Sequence, residues 1–257
     1  MHIAAILRIV PDQNEELEID DSGADIDREW IGLKLNEFDD QALEEAVLLK
    51  EAAGARVTAV ALAGDGAERQ LQTAIARGAD DALLVDHDID GIPGARAAAH
   101  LLAGPLRDLG ADLVLTGVQT PEDVFGQLAP FLAGLLGWPT LNAVHGVSAG
   151  AGGLEVVQEY SGGRAARFAV TGPAVLGVQT ASRPPRYVSG SKLRQASSAT
   201  IARAAGALPD GFAAPRIAAL AEPARSNRAE MLDGDAEAVA ERLAGLLAER
   251  GLLGGRE

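Results

Sequence analysis

The sequence predicts an α/β fold: a doubly wound, mostly parallel sheet that ends in an extended C-terminal arm and a terminal helix. Two observations lead there. From Ile3 to Leu136, apolar runs of strand length alternate with segments of helical period, the order that builds βαβ units. The strand-length runs are rich in Val, Ile and Leu and lack polar alternation, as strands covered by helices on both faces require.

Taken in order, Ile3 to Val10 is the first strand, and a helix lies near Asp40 to Ala53. Between them Asp12 to Trp30 is acidic and too long for an ordinary βα loop, so an inserted hairpin or excursion is expected. Arg56 to Ala63 is a strand, Glu68 to Arg77 a helix, Ala82 to Val85 a short strand and Pro93 to Leu109 a helix. Asp112 to Gly117 and Gly126 to Leu136 repeat the pair. From Thr140 the pattern changes. Leu154 to Tyr160 and Arg164 to Val170 flank Ser161-Gly162-Gly163, a hairpin signal, and Ala174 to Thr180 follows Pro173 as another strand, so the sheet should end antiparallel. After Arg183-Pro184-Pro185 the chain turns to Ser, Ala, Gly and Arg with little periodicity, an arm without a core of its own. Glu237 to Glu249 is an amphipathic helix with Val239, Leu243, Leu246 and Leu247 on one face. The expected division is an α/β domain over residues 1–182, followed by the arm and helix over 183–257.

Composition removes several classes of function. A chain of 257 residues with 47% hydrophobic and 23% charged residues folds with a full core. It has no cysteine, which excludes disulfides and thiol chemistry. Arg8 interrupts the first apolar stretch and no small-residue cleavage site follows, so a secretory signal is not expected. No apolar run reaches the ~18 residues of a membrane span, and the cytoplasm is the expected compartment. The net charge of −15 argues against nucleic acid as partner. That charge is uneven: residues 1–60 carry 15 acidic and 5 basic side chains, whereas residues 183–228 carry 2 acidic and 8 basic ones. Such a basic segment suits docking on another protein surface, ahead of the alternative of a solvated, arginine-biased segment.

Three loops are expected to meet at the carboxyl ends of the parallel strands, where open α/β sheets bind ligands. In the first, Leu35 to Asp40, Asn36 suits hydrogen bonds to a base or ribose, while Asp39 or Asp40 suits a helix cap. In the second, Ala63-Gly64-Asp65-Gly66-Ala67, glycines admit close backbone approach and the helix start attracts an anion. The segment lacks the third glycine of a dinucleotide fingerprint and reads equally as a strand-to-helix turn. In the third, Gly117 to Gln127, the side chains of Gln119, Thr120 and Gln127 suit phosphate or ribose oxygens together with the amides at the start of the following helix. Catalytic and metal residues are not expected. His2, His87, His100 and His145 fall at unrelated spacings, there is no nucleophile elbow, and Asp86-His87-Asp88-Ile89-Asp90 lacks the rest of a calcium loop.

Together these segments resemble the electron transfer flavoprotein beta family. The resemblance rests on Val10-Pro11-Asp12, on Asn36-Glu37-Phe38 followed by Ala42 to Glu51, on Gly64 and on Ala74 to Asp80. It continues through Asp112 to Gln119, Leu132 to Pro139 and Pro185-Arg186-Tyr187, and so covers about residues 1–190 in order and spacing.

The resemblance implies a Rossmann-like, adenine-nucleotide-alpha-hydrolase-like domain that binds AMP. It implies a heterodimer in which a larger alpha subunit holds most of an FAD, an upstream dehydrogenase as electron donor, and a quinone oxidoreductase or other acceptor downstream. The cofactor-binding set carried over is Ile6, Asn36, Phe38, Asp39, Ala63, Gly64, Gln119, Thr120, Asp123, Gly126, Gln127 and Leu128, with Phe38 near the flavin. Alternatives are a bifurcating subunit that binds a second FAD and NADH, and a stand-alone ATP- or AMP-binding protein of the same fold. The chain departs from the family in two places. Leu128-Ala129-Pro130 follows Gln127 where relatives carry a small or hydroxylated residue and then glycine. Val188 to Gln195 replaces the usual dehydrogenase-recognition loop, leaving Gly190 and Leu193 as its partner-binding candidates.

Overall fold

Ile3, Ala4, Ala5 and Ile6 are all buried, and the strand they form lies inside the sheet, as an all-apolar run demands. In the computed structural model, which describes residues 1–253 except positions 90, 151, 216, 225–228 and 230, this is β1 (His2–Ile6). The chain continues through β2 (Ile9–Pro11), β3 (Leu33–Leu35), α1 (Glu37–Ala53), β4 (Arg56–Leu62), α2 (Ala67–Arg77), β5 (Asp81–Asp86) and α3 (Ala95–Leu109). β6 (Leu113–Gly117), α4 (Leu128–Leu136), β7 (Thr140–Gly150), β8 (Gly153–Tyr160), β9 (Arg164–Val170) and β10 (Ala174–Thr180) follow. Last come α5 (Gly190–Ala196), β11 (Ala202–Ala205) and α6 (Ala236–Glu249).

Nine strands form one sheet in the order β11-β5-β4-β1-β6-β10-β7-β8-β9. From β11 to β7 every neighbouring pair is parallel; β8 and β9 extend the edge antiparallel. The expected α/β class and the antiparallel ending are both present. Residue alternation builds two cores. Ile3 and Ala5 face Leu43, Ala46 and Leu49 of α1 and Leu71 of α2, while Ala4 and Ile6 face Leu102 and Leu106 of α3 and Leu128 and Leu132 of α4. Each fully buried Leu or Ile contributes about 1.5–3 kcal/mol, so the helices are held to both faces.

Three elements differ from expectation. The first strand leaves the sheet after Ile6: Leu7 N–H still donates to the Val60 carbonyl, but the Arg8 N–H and guanidinium turn to Asp39. Ile9–Pro11 then pairs antiparallel with Leu33–Leu35, closing the acidic excursion at its base. β7 was not expected, because its inward and outward residues do not alternate cleanly; a register shift falls between Val144 and Val147, beside Ala143 with φ 55°. β11 lies in the arm, parallel to β5, with Ala202 opposite Leu83.

Two compact units are distinguished, Met1–Ala219 and Leu220–Glu257. The second contains α6, capped by the Asp235 carboxylate, which accepts the Ala238 N–H at 2.9 Å. No helix among the described residues is long and apolar enough to cross a membrane.

Candidate functional site

The chain leaves β1 for β4 and β5 on one side, and β6 returns on the other. Such a reversal opens a crevice beyond the carboxyl ends of the strands. A cavity of ≈ 620 Å³ lies there, within the range of small-molecule sites. Its floor is made by the strand ends, Ile6, Leu62 and Ala63, and its far walls by Ala98 and Leu102 of α3 and Leu128 of α4. Ile9, Val10 and Leu33 border it from the β2–β3 ladder. The surface is largely aliphatic, suited to the flat faces of a heteroaromatic ring, with polar groups set among it.

Arg8 organises the polar side. The Asp39 carboxylate, wholly buried, accepts from Arg8 N–H at 3.0 Å, Nε at 2.9 Å and Nη2 at 2.8 Å. It also accepts the Gly117 N–H at 2.6 Å. Arg8 Nη2 donates onward to the Gly117 carbonyl at 2.7 Å and the Gln119 carbonyl at 3.4 Å. This clamp ties the end of β1 to the starts of α1 and of the loop after β6. Gly117 is required at the junction, since a Cβ would lie 2.5 Å from the Phe38 carbonyl carbon, closer than real Cβ contacts allow.

The loop after β6 is held from both sides. Asn36 Nδ2 donates to the Gln119 carbonyl at 2.9 Å, and Asn142 Nδ2 to the Gly126 carbonyl at 3.1 Å. Thr120 Oγ1 accepts the Asp123 N–H at 2.9 Å. The Asp123 carboxylate in turn accepts the N–H groups of Gln127 at 2.9 Å and Leu128 at 3.1 Å, so the start of α4 is already capped by an internal anion.

Of the residues singled out from sequence, Ile6, Ala63, Gly64, Thr120, Asp123 and Leu128 line the cavity. Asn36, Asp39 and Gln119 stand behind it in the hydrogen-bonded frame just described. Gly126 is buried with φ 62°, Phe38 is half-buried beside Gly117, and Gln127 is exposed. Gly190 and Leu193 lie on α5, apart from the cavity lining. The Glu44-Glu45 pair of the α1 motif holds the frame instead. Glu45 accepts from the N–H groups of Val147 and Ser182, and Glu44 from Arg77 and Arg186.

Sequence reasoning missed Arg8, Arg28 and His87, all of which line the cavity. Arg8 was visible as a charge inside an apolar strand. Arg28 was visible as the lone basic residue between Asp12 and Leu33. His87 sat in an acidic stretch that reads as a solvated loop.

Residues 25–208 match the model of the electron transfer flavoprotein domain. The chain is 30% identical over 191 residues to the electron transfer flavoprotein subunit beta of Methylophilus methylotrophus, covering 73% of this chain and 72% of that one. It is 31% identical over 196 residues to the beta subunit of Bacillus subtilis, covering 74% and 73%. The chain belongs to the electron transfer flavoprotein beta family. A further family member, the beta subunit of Syntrophomonas wolfei, is 34% identical over 178 residues, 69% of each chain. The family match includes Asp39, the β6–α4 loop and the strand β11, whereas β1, Arg8 and β2 precede the matched residues.

Proposed function

We propose that this chain is the beta subunit of a heterodimeric electron transfer flavoprotein, that its cavity holds AMP, and that its frame helps an alpha subunit hold FAD. The observation that carries the reading is the cavity at the strand-end crevice, with aliphatic walls for a purine and hydrogen-bond donors among them. Two cations border the cavity: Arg28 Nη1 is buried without a hydrogen-bond partner, and Arg8 Nη1 makes no hydrogen bond but lies 3.8 Å from Asp123 Oδ2. The flavin, when bound, supplies the electron-carrying chemistry.

The residues of this chain bind and orient. Ile6, Leu62, Ala98 and Leu102 exclude water from the ring faces. The Arg8–Asp39 clamp fixes the loop that carries Thr120 and Asp123. Phe38, next to that clamp, is the residue assigned to the flavin edge. The basic segment after Arg183 and the apolar face of α6 are assigned to the alpha subunit, and Gly190 and Leu193 on α5 to the upstream dehydrogenase. The downstream acceptor is a quinone oxidoreductase or an equivalent protein, and the compartment is the cytoplasm.

The test is to co-express the chain with its alpha subunit, purify the complex and extract its cofactors. One FAD and one AMP per heterodimer is the expected result. Two FAD per heterodimer would replace the reading with a bifurcating one. A chain that purifies alone and turns over ATP would overturn it.

A further inference from the structure

The Asp123 carboxylate is the meeting point of three donors. Its Oδ2 accepts the N–H groups of Gln127 at 2.9 Å and Leu128 at 3.1 Å, and Arg8 Nη1 lies 3.8 Å from it. That Nη1 is buried and makes no hydrogen bond, although its guanidinium is fixed to Asp39 through Nε and Nη2. Arg8, Thr120, Asp123 and Leu128 all line the cavity, so this point opens onto the space assigned to the nucleotide. Two amides of a helix start and a guanidinium edge make a cradle for one anionic group. The carboxylate fills it.

None of the three donors depends on that carboxylate for its direction. The Gln127 N–H shares a peptide plane with the Gly126 carbonyl, which accepts from Asn142 Nδ2 at 3.1 Å. Gly126 is seated so closely that a Cβ would lie 2.3 Å from the Val118 carbonyl oxygen, and the Leu128 side chain is buried in the core beneath α4. The backbone of Asp123 is held separately. Its N–H donates to Thr120 Oγ1 at 2.9 Å, and its carbonyl accepts the Gly126 N–H at 3.0 Å. The carboxylate can therefore leave the cradle by rotation about its own side-chain bonds while the loop stays in place.

From sequence, phosphate oxygens are expected at this same loop and helix start. A phosphate and a carboxylate cannot share one set of N–H groups, because two anions in contact repel. We propose that Asp123 sets the affinity of the site by competing with the phosphate of the nucleotide: the carboxylate caps α4 until a phosphate displaces it, and the preference for AMP over its uncharged nucleoside is lowered by that exchange. This rests on the reading that the cavity takes AMP. Asp123 then works against the phosphate, and Arg8 Nη1, which faces the carboxylate, passes to the incoming anion. The helix start exchanges one anionic cap for another.

The full chain, freed of bound nucleotide and complexed with its alpha subunit, is titrated with AMP and with adenosine by calorimetry, as wild type, Asp123→Asn and Asp123→Ala. AMP affinity is expected to rise about tenfold in Asp123→Ala, with adenosine affinity unchanged. In Asp123→Asn, whose amide oxygen remains an acceptor, the rise should be smaller. Thermal midpoints give a second reading: by linkage, the deficit of each variant without nucleotide should close at saturating AMP and persist at saturating adenosine. A purely structural cap would lower the midpoint equally with either compound. An AMP-to-adenosine ratio at or below the wild-type value in Asp123→Asn overturns the competition and leaves the AMP reading standing. Wild-type complex that binds neither compound overturns that reading and this inference with it.

Discussion

Arg8 shows how one charged residue inside an apolar run redirects a chain. Its side chain is 16% exposed and its partner Asp39 is wholly buried, so removing one member leaves the other charge uncompensated. Asp39→Asn is expected to cost about 3–5 kcal/mol, read as a shift in the urea midpoint. A loss below about 1 kcal/mol would mean that Arg8 re-pairs with Asp123, whose Oδ2 is 3.8 Å from Arg8 Nη1. Gly177 tests a second close approach: a Cβ there would overlap Asn142 Oδ1. Gly177→Ala is expected to destabilise the protein by about 1–3 kcal/mol, and the loss should shrink in the background of Asn142→Ala. A double-mutant cycle by chemical denaturation measures that coupling. Residues such as Asn36 and Asp39 were legible as important because their types suit loop starts. Their actual bonds were not, since Arg8, Gly117 and Gln119 come from segments 31 to 83 positions distant in sequence.

Elements were legible where one period dominated. β4, β5 and β6 carry continuous apolar runs, and α2 and α3 begin and end within two residues of expectation. β7 and β11 were hidden for physical reasons. The first bends at Ala143, and the second is a four-residue edge strand whose sequence, Ala202-Arg203-Ala204-Ala205, favours a helix as much as a strand. The pairing of β1 with β4 carries a pH dependence through His2, whose Nε2 meets Thr58 Oγ1 at 2.8 Å. Burial, and then the Arg56 guanidinium, lower the His2 pKa below its ordinary 6.5. The unfolded chain then binds the proton more readily than the folded one, so His2 costs nothing well above pH 6.5 and destabilises progressively as pH falls through 6.5 toward the folded value. Wild type should therefore lose more stability than His2→Gln between about pH 8 and pH 5.5. Urea midpoints of the two proteins across that range should converge on the alkaline side if burial disfavours the charged ring. Parallel curves would remove His2 from the account.

At the scale of the whole molecule, the question is where the α/β unit stops. The sequence places a boundary at residue 182, where composition changes, yet β11 lies beyond it and completes the β5 edge through backbone pairing at Ala202–Ala205. Arg203 reinforces that join, with ion pairs to Asp86 and Glu68; both partners of each pair are largely exposed, so the pairs themselves contribute little. The backbone ladder and the close packing of Gly206 against Leu101 and Val85 hold the segment. A chain ending at Ala219 should therefore fold cooperatively and stay monomeric on its own. One ending at Ser182 uncovers the unpaired groups of β5, an apolar strand, and should self-associate. Gel filtration with light scattering on the two truncations decides the matter, because equal behaviour would mean that the β5 edge needs no cover. The same pair also separates folding from docking. If the second unit belongs to the alpha-subunit interface, the chain ending at Ala219 should fold yet lose alpha subunit in a pull-down, an outcome that a purely structural role for residues 220–257 does not produce.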